Sequence, residues 1–242
     1  MKNLGLVLVF WIVCLNSASG EENASNPLAS VNNTDFRWQG FSSAAGRRND
    51  YYIDGSYMIT PKLKLKYELH YNDNDFTGKT QSGFEKVGFK AIAFPSQTLL
   101  NQSWGAKSAI GLEWVLDLGD RKKAIGIGAD QLAPLVGIAL SHIPSGLTVI
   151  PLVQHFTSYN GPAVNSTAAR LIALQSFGDG YWAKADIKVP YDWVNTNWPA
   201  TAEVQLGYNF NKTTAVYVDG LMGIGSARPY DAGLGIGLRF KY

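Results

Sequence analysis

The chain has 242 residues, a formal net charge of +2 and one cysteine, with 12% aromatic residues and 25 glycines. Near-neutral charge offers no basic surface for nucleic acid, and the lone Cys14 sits in the N-terminal apolar run, so the rest has no disulfide framework, thiol nucleophile or thiolate metal site. No stretch after residue 20 is long and apolar enough for a membrane helix, which leaves a soluble all-β sandwich or a membrane protein that crosses with strands.

Met1-Lys2-Asn3 is a short positive start, residues 4–15 (LGLVLVFWIVCL) are apolar, and Asn16-Ser17-Ala18-Ser19-Gly20 are small and polar. This order predicts a secretory signal peptide over residues 1–20, cut after Gly20. The apolar run falls short of the roughly 20 residues that a membrane anchor needs. Residues 21–35 are polar and contain Pro27; they are expected to form a periplasmic tail or a lumenal plug. The remainder, residues 36–242, is expected to be one barrel domain.

Residues 62–71 (KLKLKYELHY) decide between sandwich and barrel. Leu63, Leu65, Tyr67, Leu69 and Tyr71 fall on one face, and Lys62, Lys64, Lys66, Glu68 and His70 on the other. Such a strand suits a lipid-facing exterior and a wet lumen. Further along, Ile110, Leu112, Trp114, Leu116 and Leu118 alternate with Ala109, Gly111, Glu113, Val115 and Asp117. Tyr181, Ala183, Ala185, Ile187 and Val189 alternate with Trp182, Lys184, Asp186 and Lys188. Ala202, Val204, Leu206, Tyr208 and Phe210 alternate with Glu203, Gln205, Gly207 and Asn209. Two segments break the pattern: residues 131–142, interrupted by Pro134, and residues 147–158, interrupted by Pro151, where neither face is cleanly apolar and a bulge or a barrel-edge irregularity is expected.

Connections alternate in length. Tight turns are predicted at residues 60–61, 95–98, 143–146, 178–180 and 211–213, and longer polar loops at 72–83, 119–131, 159–167, 190–200 and 225–230. Short periplasmic turns alternating with longer extracellular loops mark a closed antiparallel transmembrane β-barrel. Strand parity predicts twelve strands, with residues 36–47 as the first; ten is the alternative. The last strand sets Leu234, Ile236, Leu238, Phe240 and Tyr242 against Gly233, Gly235, Gly237, Arg239 and Lys241. Its alternation and aromatic end resemble the signal read by outer-membrane barrel assembly machinery. The expected location is therefore the bacterial outer membrane, with its lipids and that machinery as partners.

Candidate lumen-lining residues are Lys62, Lys64, Lys66, Glu68, Lys107, Glu113, Asp117, Lys184, Asp186, Lys188, Glu203, Arg239 and Lys241. Mixed charges can pair across strands or line a polar channel, and the lysine row could make an anion-preferring constriction. Barrel closure sets Arg239 and Lys241 against charges of the first strand. The enzymatic candidate is His155 with Thr157 or Ser158, because outer-membrane lipid hydrolases place a histidine and a serine two residues apart on one strand face. Here the +2 position is Thr157 and Ser158 points the other way. No histidine pair has metal-ligand spacing, and Gly126-Ile127-Gly128 and Gly223-Ile224-Gly225 complete no phosphate-binding motif, so no cofactor is expected.

The segments YIDGSYMITPKLKLKYELHY, AIGLEWVLDLGD, IGIGADQLAPLVGIAL, PLVQHFTSYNG, PATAEVQLGYNF and RPYDAGLGIGLRFKY resemble a family of small outer-membrane proteins labelled as transporters, or as relatives of the outer-membrane components of the meta-pathway of phenol degradation. The resemblance spans about residues 26–242 and implies a barrel that passes small aromatic or hydrophobic solutes; it brings no catalytic residues. A passive channel is the leading expectation. An outer-membrane lipid hydrolase using His155 and a closed structural or surface-interaction barrel are the alternatives.

Overall fold

A computed structural model describes residues 23–242. The expected signal peptide, residues 1–20, lies outside the described residues. Thirteen antiparallel strands form one sheet: β1 (Asn33–Ser43), β2 (Gly46–Thr60), β3 (Leu63–Asn74), β4 (Gln81–Ala93), β5 (Gln97–Leu99), β6 (Trp104–Asp117), β7 (Asp130–His142), β8 (Leu147–Asn160), β9 (Asn165–Ser176), β10 (Tyr181–Asp192), β11 (Ala200–Asn209), β12 (Thr214–Ile224) and β13 (Ala232–Lys241). β1 pairs with β13 from Asn33↔Lys241 to Ser42↔Ala232, and β4 pairs with β6 from Lys86↔Asp117 to Ala93↔Ile110. The ring therefore closes on twelve long strands, with β5 a short extra strand against the start of β6. Closure leaves no open edge, the condition for crossing a bilayer with strands.

The period of two reads directly into the wall. Leu65, Leu69, Ile110, Leu112, Val204, Leu206, Leu234 and Ile236 are exposed on the outer face, while Lys64, Glu113, Lys184, Gln205 and Arg239 are buried inside. Aromatics flank this apolar band. Tyr57, Tyr181, Phe210, Phe240 and Tyr242 stand at the end where β1 begins and β13 finishes, and Tyr51, Tyr71, Phe84, Trp114 and Tyr159 at the other. Strands this long extend past the band, so several predicted loops are partly strand. β3 and β4 stay paired to Asn74↔Gln81, and β8 and β9 to Thr157↔Asn165.

Three local expectations are corrected. The first strand is Asn33–Ser43 rather than 36–47, because the chain turns at residues 44–45 and Gly46 takes a φ of +136° that suits glycine alone. The tight turn expected at 95–98 is not one. Residues 97–99 extend as β5 and the reversal comes at residues 100–103, capped by Asn101 Oδ1, which accepts from the Ser103 and Trp104 N–H groups. Lys62 occupies the two-residue turn between β2 and β3 and is exposed, outside the interior.

The broken pattern of β7 and β8 has a specific cause. Pro134 and Pro151 sit on the exposed outer face, where a missing N–H only interrupts the ladder. Ala133, Leu135, Ala139, Ile150 and Leu152 point inward and are buried. Both faces of this wall are apolar because the inner one has its own occupant. The register of this pair shifts at Asp130/Gln131, where Tyr159 is the extra residue, just past the segment in which an irregularity was expected.

Candidate functional site

The occupant is the N-terminal segment, residues 23–32. Two asparagines fold it locally: Asn23 Oδ1 accepts from the Ser25 N–H (2.9 Å) and Asn26 Oδ1 from the Leu28 N–H (2.8 Å), while main-chain bonds link Asn26 to Asn23 and Ala29 to Asn26. Leu28, 1% exposed, packs in a buried cluster with Ile92, Phe94, Ala109, Ala139, Ile150 and Ile172. Around that apolar anchor, strand side chains satisfy the segment's polar groups. Lys64 Nζ donates to the Ala29 carbonyl (2.7 Å), Lys107 Nζ to Ser30 Oγ (2.6 Å), Ser56 Oγ to the Val31 carbonyl (2.7 Å) and Arg239 Nη1 to Ser25 Oγ (2.7 Å).

Beside the segment, charges cross the interior. Arg37 Nη2 reaches Asp219 (3.0 Å), Lys184 reaches Glu203 (2.7 Å), Lys90 reaches Glu113 (2.9 Å) and Arg170 grips Asp186 through two nitrogens. Asp219 also accepts from Gln39 and Gln205. Some of these groups border a cavity of about 110 Å³ between the segment and the wall. Arg37, Lys66, Lys90, Arg170, Lys184 and Arg239 line it, against the carboxylates of Asp54 and Asp186. Low-dielectric walls strengthen every such charge, so paired groups are rigid and the fit of an incoming ion is electrostatically demanding.

The seam between the first and last strands is tied by charge. Arg239 donates from Nε (2.9 Å) and Nη2 (2.6 Å) to Asp35, its direct partner in the register. Asp35 also accepts from Tyr217 Oη (2.7 Å) and Asn33 Nδ2 (2.7 Å). The rings of Trp182 and Tyr217 that flank Arg239 need glycine beneath them. A Cβ on Gly207 would stand 2.1 Å from Trp182, and one on Gly237 2.2 Å from Tyr217.

The other candidates distribute as follows. Lys66 lines the cavity, and Glu68 accepts from Lys86 Nζ (2.7 Å). Asp117 Oδ1 accepts from the Gly119 and Ile127 N–H groups and shapes the loop at residues 118–129. Lys188 Nζ lies 5.0 Å from the centre of the Phe156 ring, and Lys241 is half-buried beside the chain end. Arg37, Arg48, Asp50, Asp54, Glu85, Lys90, Arg170 and Asp219 also face inward and were not singled out from the sequence. A strand's inner face becomes readable only once its outer face is placed, and β1, β2, β4, β9 and β12 carry fewer adjacent charges than β3.

His155 does not meet either proposed nucleophile. Its Nδ1 is 2.9 Å from Thr167 Oγ1 on β9, Thr157 is exposed, and Ser158 Oγ accepts from the Val164 N–H. Trp193 Nε1 also donates to Thr167 Oγ1 (3.0 Å), so His155 belongs to a rim contact.

No protein-family model and no curated protein matches the chain. Solved structures do. The chain is similar to the NanC porin (TM-score 0.63, 10% identity, 86% of this chain and 100% of that one) and to the COG4313 outer membrane channel from Pseudomonas putida F1 (TM-score 0.62, 10% identity, 88% and 96%). It is also similar to the KdgM porin in complex with disordered oligogalacturonate (TM-score 0.54, 12% identity, 87% and 99%). At these identities the likeness establishes a shared fold, that of outer-membrane porin-like barrels.

Proposed function

We propose that the chain is a passive channel of the bacterial outer membrane for small anionic solutes, with residues 23–32 as a movable constriction. The observation that carries this reading is the cavity lining, where six basic side chains face two carboxylates. Most of those bases are paired from behind, whereas at Lys66 the opposite charges of Asp54 and Glu68 are set against the like charges of Lys90 and Arg170. Rings of one sign in a narrow passage select by charge. The outward apolar band, the aromatic rims and the likeness to structures described as porins and channels support the location. Leu234, Ile236, Leu238, Phe240 and Tyr242 present the face that assembly machinery would read.

The resemblance to phenol-pathway transporters implied aromatic or hydrophobic solutes; the charged lining favours hydrophilic anions instead. A cavity of about 110 Å³ has room for water and small ions. Larger solutes pass only when the segment shifts. Planar-bilayer recordings across a KCl gradient test this: the reversal potential is expected to show anion preference, and Lys66→Glu to move it toward cations. If neither the intact chain nor one lacking residues 23–31 conducts, the barrel is closed and the channel reading fails.

A further inference from the structure

At the loop end of the interior, four buried side chains from three strands converge: Asp50 on β2, His70 and Asn72 on β3, and Glu85 on β4. His70 Nδ1 lies 2.9 Å from Asp50 Oδ2, and one donor atom each from Asp50, His70 and Glu85 falls within 4.8 Å of the others. Asn72 is the direct partner of Asp50 in the β2–β3 register and shares the face of His70, so its amide enters the same space.

Glu85 arrives by an irregularity. The β3–β4 register passes from His70↔Lys86 to Tyr71↔Phe84, leaving Glu85 as the extra residue of a bulge that turns it and Lys86 inward together. Bulges re-aim side chains in this way. Above the cluster, the loop at residues 118–129 closes down. Ile125 is 2% exposed and reaches toward Gly83, Asn74 Nδ2 donates to the Ala124 carbonyl (3.1 Å), and the Leu118 N–H donates to the Glu85 carbonyl (2.9 Å). Below it the Tyr52 ring stacks on His70 at 4.4 Å.

Within this enclosure the Asn72 side-chain oxygen, in a residue only 2% exposed, has no hydrogen-bond partner among the described residues. An unpaired buried acceptor beside two carboxylates and an imidazole is a concentration of electron pairs able to hold a cation. His70 Nε2 stands 3.7 Å from Glu68 Oε1, the side on which a carboxylate commonly orients a metal-binding imidazole. The cation now nearest is Arg48. Its Nη2 is 2.5 Å from Glu85 and 3.6 Å from Asp50, and its side chain is 30% exposed, on the route to the outer mouth.

We propose that Asp50, His70, Asn72 and Glu85 form a binding site for a divalent transition-metal ion, which the Arg48 guanidinium occupies as an exchangeable substitute. One nitrogen and several oxygens suit such an ion. Donors each about 2.1 Å from a tetrahedral centre stand about 3.4 Å apart, so the Asp50, His70 and Glu85 atoms, now within 4.8 Å of one another, must close by up to about 1.4 Å through side-chain adjustment. The spacing of these residues along the chain carries no metal motif; strand register and the bulge create the set.

Isothermal titration of the purified barrel in detergent micelles with Zn²⁺ tests the site, with folding of each variant checked by gel mobility before and after heating. The intact protein is expected to bind one ion tightly, His70→Ala and Asn72→Ala to weaken binding by about tenfold or more, and Arg48→Gln to tighten it by a similar factor. Absence of binding by both the intact protein and Arg48→Gln overturns the proposal. So does binding that neither His70→Ala nor Asn72→Ala alters, which would place the ion elsewhere. If His70→Ala does not fold, Asn72→Ala decides, because the Asn72 side-chain oxygen holds no hydrogen bond among the described residues.

Discussion

Neutralising Asp35 provides the sharpest stability test of the barrel seam. The Asp35 and Arg239 side chains are 1% and 7% exposed, and the carboxylate accepts from Arg239, Tyr217 and Asn33. Asp35→Asn preserves volume and one acceptor oxygen but removes the paired counter-charge of the guanidinium, leaving only the more distant Asp54. Breaking a buried pair from one side costs about 3–5 kcal/mol. Because asparagine keeps an acceptor, the lower end, about 3 kcal/mol, is expected. The Trp182 and Tyr217 rings near Arg239 offer no new compensation, since they already flank it in the intact protein. Removing both charges together should recover most of the loss, as in Asp35→Leu with Arg239→Met, because no uncompensated ion then remains. Denaturant unfolding in micelles, followed by tryptophan fluorescence, measures all variants as a double-mutant cycle. A loss under about 1 kcal/mol for Asp35→Asn would mean that the pair behaves like an exposed ion pair. Additive losses would show that the two residues are not coupled. Either result refutes the seam argument.

Three further outcomes follow from the interior and the wall. Leu28→Asp drives a charge into the Ile92–Ile150–Ile172 cluster; it should expel residues 23–32 and raise unitary conductance, measured in planar bilayers, without loss of the folded gel band. Ile236→Arg places a charge on the lipid face near mid-strand and should destabilise the barrel by about 2–4 kcal/mol in vesicle unfolding. His155→Ala should leave the unfolding midpoint and any lipid turnover unchanged; loss of a measurable lipase activity would restore the enzymatic reading.

The alternation of residues 62–71, 181–189 and 234–242 was sufficient to orient those strands. Lipid imposes one requirement on every outward side chain, so each strand reports its outer face independently of its neighbours. Strand number followed from parity and turn spacing for the same local reason. The interior was legible only where charges stood in rows, as in β3. Whether an inward residue pairs with a strand neighbour, the N-terminal segment or the cavity depends on what lies across the lumen, and that neighbour is remote in sequence. Arg239 meets Asp35 and Ser25, and Leu28 meets Ile150 and Ile172.

The same limit explains two features that pattern reading did not reach. β7 and β8 looked irregular because their inner face is also apolar, and nothing local to residues 131–158 says that Leu28 will rest on it. The Asp50, His70, Asn72 and Glu85 cluster had no signature because its members share a site only after pairing and one bulge shift Glu85 inward. Period-two chemistry along the chain was enough to specify a closed wall and its outward side. Only closure of that wall brought distant strands and the N-terminal segment face to face, and with them the charge pairs, the lumenal seat of that segment and the Asp50–His70–Glu85 cluster.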